Sequence, residues 1–326
     1  MVLKKFLPLL LLATLMNLPT NLKAAHPIYP APLQKGDTIA ILAPAGHVKR
    51  DNVDRSVTVL KGLGYVPVVY PTSYGHHYSY SGTVNQRWAD IKKAFTDPNV
   101  RAILCARGGY GVVHLMDSIA SLPLENDPKW VIGFSDISAL HALLANRNIA
   151  SIHASMTLEV ARGMQEEENQ LLFKIMENME FPEYKITPDK RNHLGEAEGK
   201  IVGGNLAVIQ NLINTPHDII QPGTILFIED VDEPIYKIQR MLYQLKMSGV
   251  LGQLKGLVVG RFTGYTPGEG YTKIEDMIAD ILKDYPNLPV AFNAPIGHIR
   301  HNYPIVESSR AQLKVTPQGV TLKMTK

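Results

Sequence analysis

The chain has 326 residues, 45% of them hydrophobic and 19% charged, enough for two domains with buried cores and inconsistent with a disordered or fibrous class. Its formal net charge of +3 comes from three lysines among the first 24 residues, beyond which 30 basic residues face 30 acidic ones; with no basic run elsewhere, nucleic-acid binding has no electrostatic support. The lone cysteine, Cys105, excludes an intramolecular disulfide and sits in the apolar run RAILCARGG as a packing residue.

Lys4 and Lys5 precede an apolar run over residues 6–16, and a polar segment then leads to Lys23-Ala24-Ala25. Charged, apolar and small-residue regions in that order describe a secretory signal peptide over residues 1–24, cut after Ala24 or Ala25. The run is shorter than the roughly 20 residues a spanning helix needs, and no cysteine follows it to carry lipid, so no stable membrane anchor is expected. The expected location is periplasmic, or cytoplasmic if the signal is not used.

Residues 38–42 form an apolar strand running into Ala43-Pro44-Ala45-Gly46, residues 51–63 a helical pattern closed by Gly64, and residues 66–70 a second strand. A helix over 83–95 capped by Thr83 or Asn85, and strands over 101–106, 130–134 and 149–153, extend the pattern. Residues 35–157 therefore read as one doubly wound α/β domain, whose ligands bind beyond the carboxyl ends of its strands. Three features fall at those ends: the polar, aromatic loop YGHHYSYSG (74–82), the glycine-rich ARGGYG (106–111), and the corner Ser135-Asp136 that opens a helix with Ile137, Leu140, His141 and Leu144 on one face.

Residues 158–198 read as the crossing between domains, and 199–326 as a second domain. It opens with GKIVGGNL, a strand and glycine turn into a helix from Leu206. A strand over 224–228 breaks into Glu229-Asp230-Val231-Asp232-Glu233-Pro234, followed by a helix over 236–247 and a strand over 254–259. A helix over 273–284, a strand over 290–293 ending in APIGH (294–298), and a hairpin over 311–315 and 320–324 complete the chain.

A serine at a strand-to-helix corner is placed as in a nucleophile elbow, although Ile137 stands where G-x-S-x-G has its second glycine. Ser135 and Asp136 are also ordinary helix caps. A nucleophilic serine needs a base and an acid to orient it. His298 and His301 compete for the first role, and Glu229, Asp230 and Asp232 for the second; spacing does not choose among them. His76-His77 and His298-x-x-His301 lack carboxylate or cysteine companions in sequence, so no metal or other cofactor is expected.

LAPAG, ARGGYG, GFSD, GGNL, IEDVDEP and APIGH, in that order over nearly the whole mature chain, resemble the LD-carboxypeptidase family of serine peptidases. The resemblance implies hydrolysis of the amide between meso-diaminopimelate and the terminal D-alanine of murein tetrapeptides by a metal-independent Ser-Glu-His triad. Carried over motif by motif, the triad is Ser135, Glu229 and His298, and the oxyanion hole is the N–H of Asp136 with that of Gly109. Arg107, Tyr110 and Asn205 are candidates for holding the substrate's free carboxylate. The implied fold is α/β: a flavodoxin-like or amidotransferase-like parallel-sheet sandwich followed by a smaller α/β domain with a barrel-like sheet, in a homodimer. Two other functions stay open: a peptidase of the same family that cleaves peptide-nucleotide antibiotics for self-immunity, and an exported solute-binding protein with Ser135 as an anion-binding helix cap.

Overall fold

The computed structural model describes residues 26–326, so the expected signal segment lies outside the described residues. In chain order the strands are β1 (Thr38–Leu42), β2 (Val66–Val69), β3 (Val100–Cys105), β4 (Trp130–Gly133), β5 (Ser151–His153), β6 (Glu183–Ile186) and β7 (Gly195–Asn205). They continue with β8 (Ile225–Val231), β9 (Gly256–Thr263), β10 (Val290–Ala291), β11 (Ile305–Glu307), β12 (Arg310–Thr316) and β13 (Gly319–Thr325).

The first sheet has the order β11-β5-β4-β3-β1-β2. Strands β1 to β5 are all parallel. Their order, 2-1-3-4-5, is that of flavodoxin-like doubly wound sheets, with the crevice at the point where the order reverses, between β1 and β3. Alternate residues of each strand enter two cores. Ile39, Ile41, Ala102, Leu104, Trp130 and Ile132 pack with Val53 and Leu60 of the helix Arg50–Gly62. Ala40, Leu42, Ile103 and Val131 pack with Ile91 and Leu140 of the helices Val84–Thr96 and Ser138–Asn146. Burial on both faces is why these strands read as continuous apolar runs.

Strand β11, from near the end of the chain, joins this sheet antiparallel to β5, pairing Ile305 with His153 and Glu307 with Ser151. The two parts of the chain are thus laced together, which the expected division at residues 158–198 does not anticipate. That crossing segment also contributes β6 to the second sheet.

The second sheet has the order β10-β9-β8-β7-β12-β13-β6. Strands β10 to β7 run parallel and β7 to β6 antiparallel. Its end strands, β10 and β6, do not pair with each other, although Val290 of β10 bridges back to His193 just before β7, so the sheet is not a closed barrel. The change of pattern falls within β7, whose first half alternates exposed and half-buried residues while its second half, from Ile201 to Asn205, is wholly buried.

The helix Ser138–Asn146 lies where the two sheets' layers meet. All of its residues from Ser138 to Ala145 are buried, the pattern of a helix enclosed on every side. Leu206 and Ile209 of the short helix Leu206–Gln210 share its core, and Ser138 Oγ accepts the Asn205 N–H at 3.0 Å. A Cβ on Gly204 would stand 2.3 Å from Ser138 Oγ, so only glycine permits this approach.

Candidate active site

Strand β4 ends at Gly133, and Ser135 begins a 3-10 turn, Ser135–Ile137, that leads into the buried helix. Ser135 has φ +66°, a left-handed conformation unusual for a serine. Such strain persists only when the surroundings impose it. Here β4 is clamped between β3 and β5 while the helix behind it is immobilised by its burial. The strain lifts the hydroxyl to the rim of the sheet, where Ser135 is half-buried.

The ARGGYG loop follows β3 and leans over this corner. A Cβ on Gly108 would lie 2.9 Å from Ser135 Oγ and 3.1 Å from Asp136 N. The absent side chain therefore leaves an opening that both the hydroxyl and the next residue's N–H face. The loop is braced from three sides. Its Gly108 carbonyl accepts the Gly46 N–H at 2.9 Å, and the Asp136 carboxylate accepts the Val112 N–H at 2.9 Å. The buried Arg87 guanidinium donates to the Pro44, Gly111 and Gly82 carbonyls at 2.7, 2.8 and 3.2 Å. Burial pushes the Asp136 carboxyl up to about 6, against the pull of the Val112 N–H, Arg87 and the Gly111 N–H.

Arg87 and Gly108 escape a reading of the sequence. Arg87 sits in a helix closed by a complete capping box between Thr83 and Gln86, where an arginine looks like any solvated helix cation. Gly108 is one glycine among three in its loop, and only tertiary contact distinguishes it. The YGHHYSYSG loop packs against the same wall: Tyr80 and Tyr110 have ring centroids 6.3 Å apart, and Tyr110 meets His114 edge-on at 5.3 Å.

From the second sheet, Glu229 lies inside β8, which runs on to Val231 instead of breaking at Ile228. The pairing of β8 with β9 slips between Ile228 and Asp230, where two steps on β8 are matched by three on β9. A bulge of this kind re-aims a side chain, and Glu229, fully buried, points at the APIGH turn. Its Oε2 lies 2.7 Å from His298 Nδ1. Gly297, at φ +118°, makes the contact possible, because a Cβ there would fall 2.7 Å from the same oxygen. The buried Asn302 fixes the turn by accepting the Gly297 N–H at 2.8 Å.

The competing residues are occupied elsewhere. Asp230 accepts from Asn205 Nδ2, the Ala207 N–H and the Val231 N–H, and His301 lies against Glu168 and Glu166. Asp232 sits at φ +59° beside Gly264. Among the described residues only Glu229 hydrogen-bonds the His298 ring; Thr263 donates to its carbonyl at 3.3 Å.

His298 packs edge-on against Phe134, the residue before Ser135, with ring centroids 4.9 Å apart, which brings histidine and serine to one corner. With Nδ1 engaged, Nε2 is the ring nitrogen left without a hydrogen-bond partner among the described residues. Among the described residues no hydrogen bond joins Ser135 Oγ to His298, and such contacts commonly tighten only when substrate is bound. Burial works against the His298 cation, but the Glu229 hydrogen bond and charge, aided by Asp230 and Glu159, outweigh it and raise the imidazole above its ordinary value. Behind Phe134, the fully buried His153 is held well below its ordinary value by burial, so it stays neutral and adds no charge to the site.

Of the other expected residues, Gly109 has φ +104° and is exposed next to Gly46. Arg107 is exposed and donates to the His47 carbonyl at 3.1 Å, and Tyr110 is exposed at the loop's tip. Asn205 is buried and engaged at both ends, its Oδ1 accepting the Val208 N–H at 3.2 Å and its Nδ2 donating to Asp230 at 2.9 Å. It caps a helix and ties that helix to β8.

A half-buried, strained serine beside backbone donors and a carboxylate-oriented histidine on a two-sheet α/β frame define the class: a serine-type hydrolase. Residues 39–154 match the LD-carboxypeptidase N-terminal domain and residues 198–313 the LD-carboxypeptidase C-terminal domain. A probable murein peptide carboxypeptidase of Bacillus subtilis is 30% identical over 303 residues, covering 90% of this chain and 94% of that protein. The crystal structure of a muramoyltetrapeptide carboxypeptidase from Oxalobacter formigenes superposes with a TM-score of 0.79 at 28% identity, covering 89% of this chain and 99% of that one. MccF in complex with glutamyl sulfamoyl guanosine superposes equally well, TM-score 0.79 over 92% of this chain and 99% of that one, but at 18% identity the likeness is one of fold. The chain belongs to the LD-carboxypeptidase family and is a serine-type carboxypeptidase.

Proposed function

We propose that the protein hydrolyses the amide between meso-diaminopimelate and the terminal D-alanine of murein tetrapeptides, with Ser135 as nucleophile, His298 as general base and Glu229 orienting it. The observation that carries this reading is the 2.7 Å contact between Glu229 and His298 Nδ1, which leaves Nε2 for the serine. His298 takes the Ser135 proton as the hydroxyl attacks the scissile carbonyl. Glu229 stabilises the resulting imidazolium, and the N–H groups of Asp136 and Gly109 receive the oxyanion. The protonated His298 then gives its proton to the departing D-alanine amine, and water, activated by the same imidazole, releases the acyl-enzyme.

Residues 35–157 supply the nucleophile in this reading, and residues 199–326 the base and acid. Arg107 and Tyr110, exposed on the ARGGYG loop, hold the substrate's free carboxylate, since Asn205 is committed to its cap. The proposal includes a homodimer and a periplasmic site of action, tested by light scattering and by fractionation with sequencing of the mature N-terminus.

The deciding experiment is mass spectrometry of the protein incubated with murein tetrapeptide, beside Ser135→Ala. Loss of one alanine only with the serine intact supports the reading. No loss from folded protein rejects it, and cleavage of an acyl-sulfamoyl adenylate analogue instead would place the chain among immunity peptidases.

A further inference from the structure

We propose that Glu166, Glu168 and His301 form a binding site for a divalent transition-metal ion, with zinc as the best match to their donors. In sequence His301 has no carboxylate companion, but the fold brings two from more than a hundred residues away. His301 Nδ1 lies 3.2 Å from Glu168 Oε2 and 3.6 Å from Glu166 Oε2, and one donor atom from each of the three residues lies within 4.8 Å of the others. Tetrahedral zinc with bonds of about 2.0–2.2 Å places its donors roughly 3.3–3.6 Å apart, so both histidine–carboxylate separations already match, and the two carboxylates have to close from no more than 4.8 Å. One imidazole with two carboxylates is a donor set suited to borderline cations, whereas calcium and magnesium prefer oxygen alone.

A second observation points the same way. Glu168 is 1% exposed, and its Oε1 is buried with no hydrogen-bond partner among the described residues. Glu166 is also buried. A carboxylate taken out of water needs a positive partner or hydrogen bonds. The neighbouring cations are Arg300, which lies 3.2 Å from Glu166 Oε1 and is 70% exposed, and the half-exposed His301 itself. Arg300 leaves Glu166 Oε2 and both Glu168 oxygens to the third party. The exposed side of His301 opens the site to water, which would complete the coordination.

The ion would act as a clamp. Glu168 lies in the first turn of the helix Glu167–Asn178, and His301 stands three residues after His298. Binding would tie the turn that carries His298 to a helix packed on the other part of the chain. The argument rests on the geometry of these three residues and stands whether or not the proposed substrate is right.

The test is isothermal titration and elemental analysis of the full chain after chelator treatment, with zinc and, separately, magnesium. One zinc per chain, with no comparable magnesium binding, is expected. Glu168→Gln and His301→Ala should each weaken zinc by roughly tenfold or more, since even residues outside the first coordination sphere are worth that much. His301 is half-exposed, so His301→Ala keeps the test valid even if Glu168→Gln folds poorly. Absence of stoichiometric zinc in the unaltered chain, or undiminished affinity in His301→Ala, as expected if the stacked pair His47 and His76 were the binder, overturns the proposal.

Discussion

Replacing Glu229 by Gln removes one charge at almost constant volume. Glu229 is fully buried and meets the His298 ring through one oxygen. If the Gln presents its amide nitrogen to Nδ1, the ring must carry its proton on Nε2 and loses its basic site toward Ser135. If it presents oxygen, the tautomer survives but the imidazolium formed during attack has lost its counter-charge. Either way the proposed triad predicts a fall in kcat of about 10³–10⁴-fold, or roughly 4–5.5 kcal/mol of transition-state stabilisation. The pH profile sharpens the test. His298 must be neutral to act as base, so kcat/KM rises with pH as its proton leaves, and Glu229 holds that step above the ordinary histidine value. Without the carboxylate, burial acts with less opposition and favours the neutral ring, so the acid limb moves to lower pH. The assay is alanine release from tetrapeptide between pH 5 and pH 9, with circular dichroism to verify the fold. Activity within tenfold of the parent, or an acid limb that stays in place, would refute the assignment of Glu229.

Other substitutions probe neighbouring features. Ser135→Gly relieves the left-handed strain at φ +66° and should raise stability by up to about 1 kcal/mol in denaturant melts while abolishing turnover; a destabilised variant would show that the corner is not strained. Gly108→Ala places a methyl 2.9 Å from Ser135 Oγ, filling the space a tetrahedral intermediate needs, and should cut kcat by about 10²-fold or more with little change in circular dichroism. Full activity there would mean the opening is not where the oxyanion forms. Glu307, buried and among the described residues paired only with the Gly203 N–H through one oxygen of its side chain, is pushed up to about 8 by burial. Its folded state therefore holds a proton that the unfolded state has released between about pH 4.5 and pH 8, so stability falls as pH rises through that window. Glu307→Gln should raise Tm at pH 8 and lose its advantage near pH 4; a gain that is the same at both pH values would rule out the titration.

Much of the frame was legible in the residues because burial on both faces writes long apolar runs. Strands β1, β3 and β4 and the helices after β1 and β2 fall within a residue or two of their expected spans. Thr83 caps its helix as expected, and the serine corner is visible because Ser135-Asp136 interrupts an apolar strand before a helical pattern. Less visible was the course of β8 through Glu229, because a run of acids reads as a loop when nothing local reveals that the strand is enclosed by neighbours on both sides.

The sequence by itself determined the kinds of element, their order, and a short set of chemically able residues, since hydrophobic period and turn chemistry act over a few residues and are written where they act. Tertiary structure alone decided which acid meets His298, because Glu229, Asp230 and Asp232 are chemically alike and only Glu229, opposite the Gly260-Arg261 bulge of β9, is set against the ring. It alone placed β11 beside β5, closed Arg87 over three loops, and set His301 against Glu166 and Glu168. Each of these is a meeting of residues far apart in the chain, and the free energy that selects such a meeting comes from the burial of the whole domain rather than from the residues that meet.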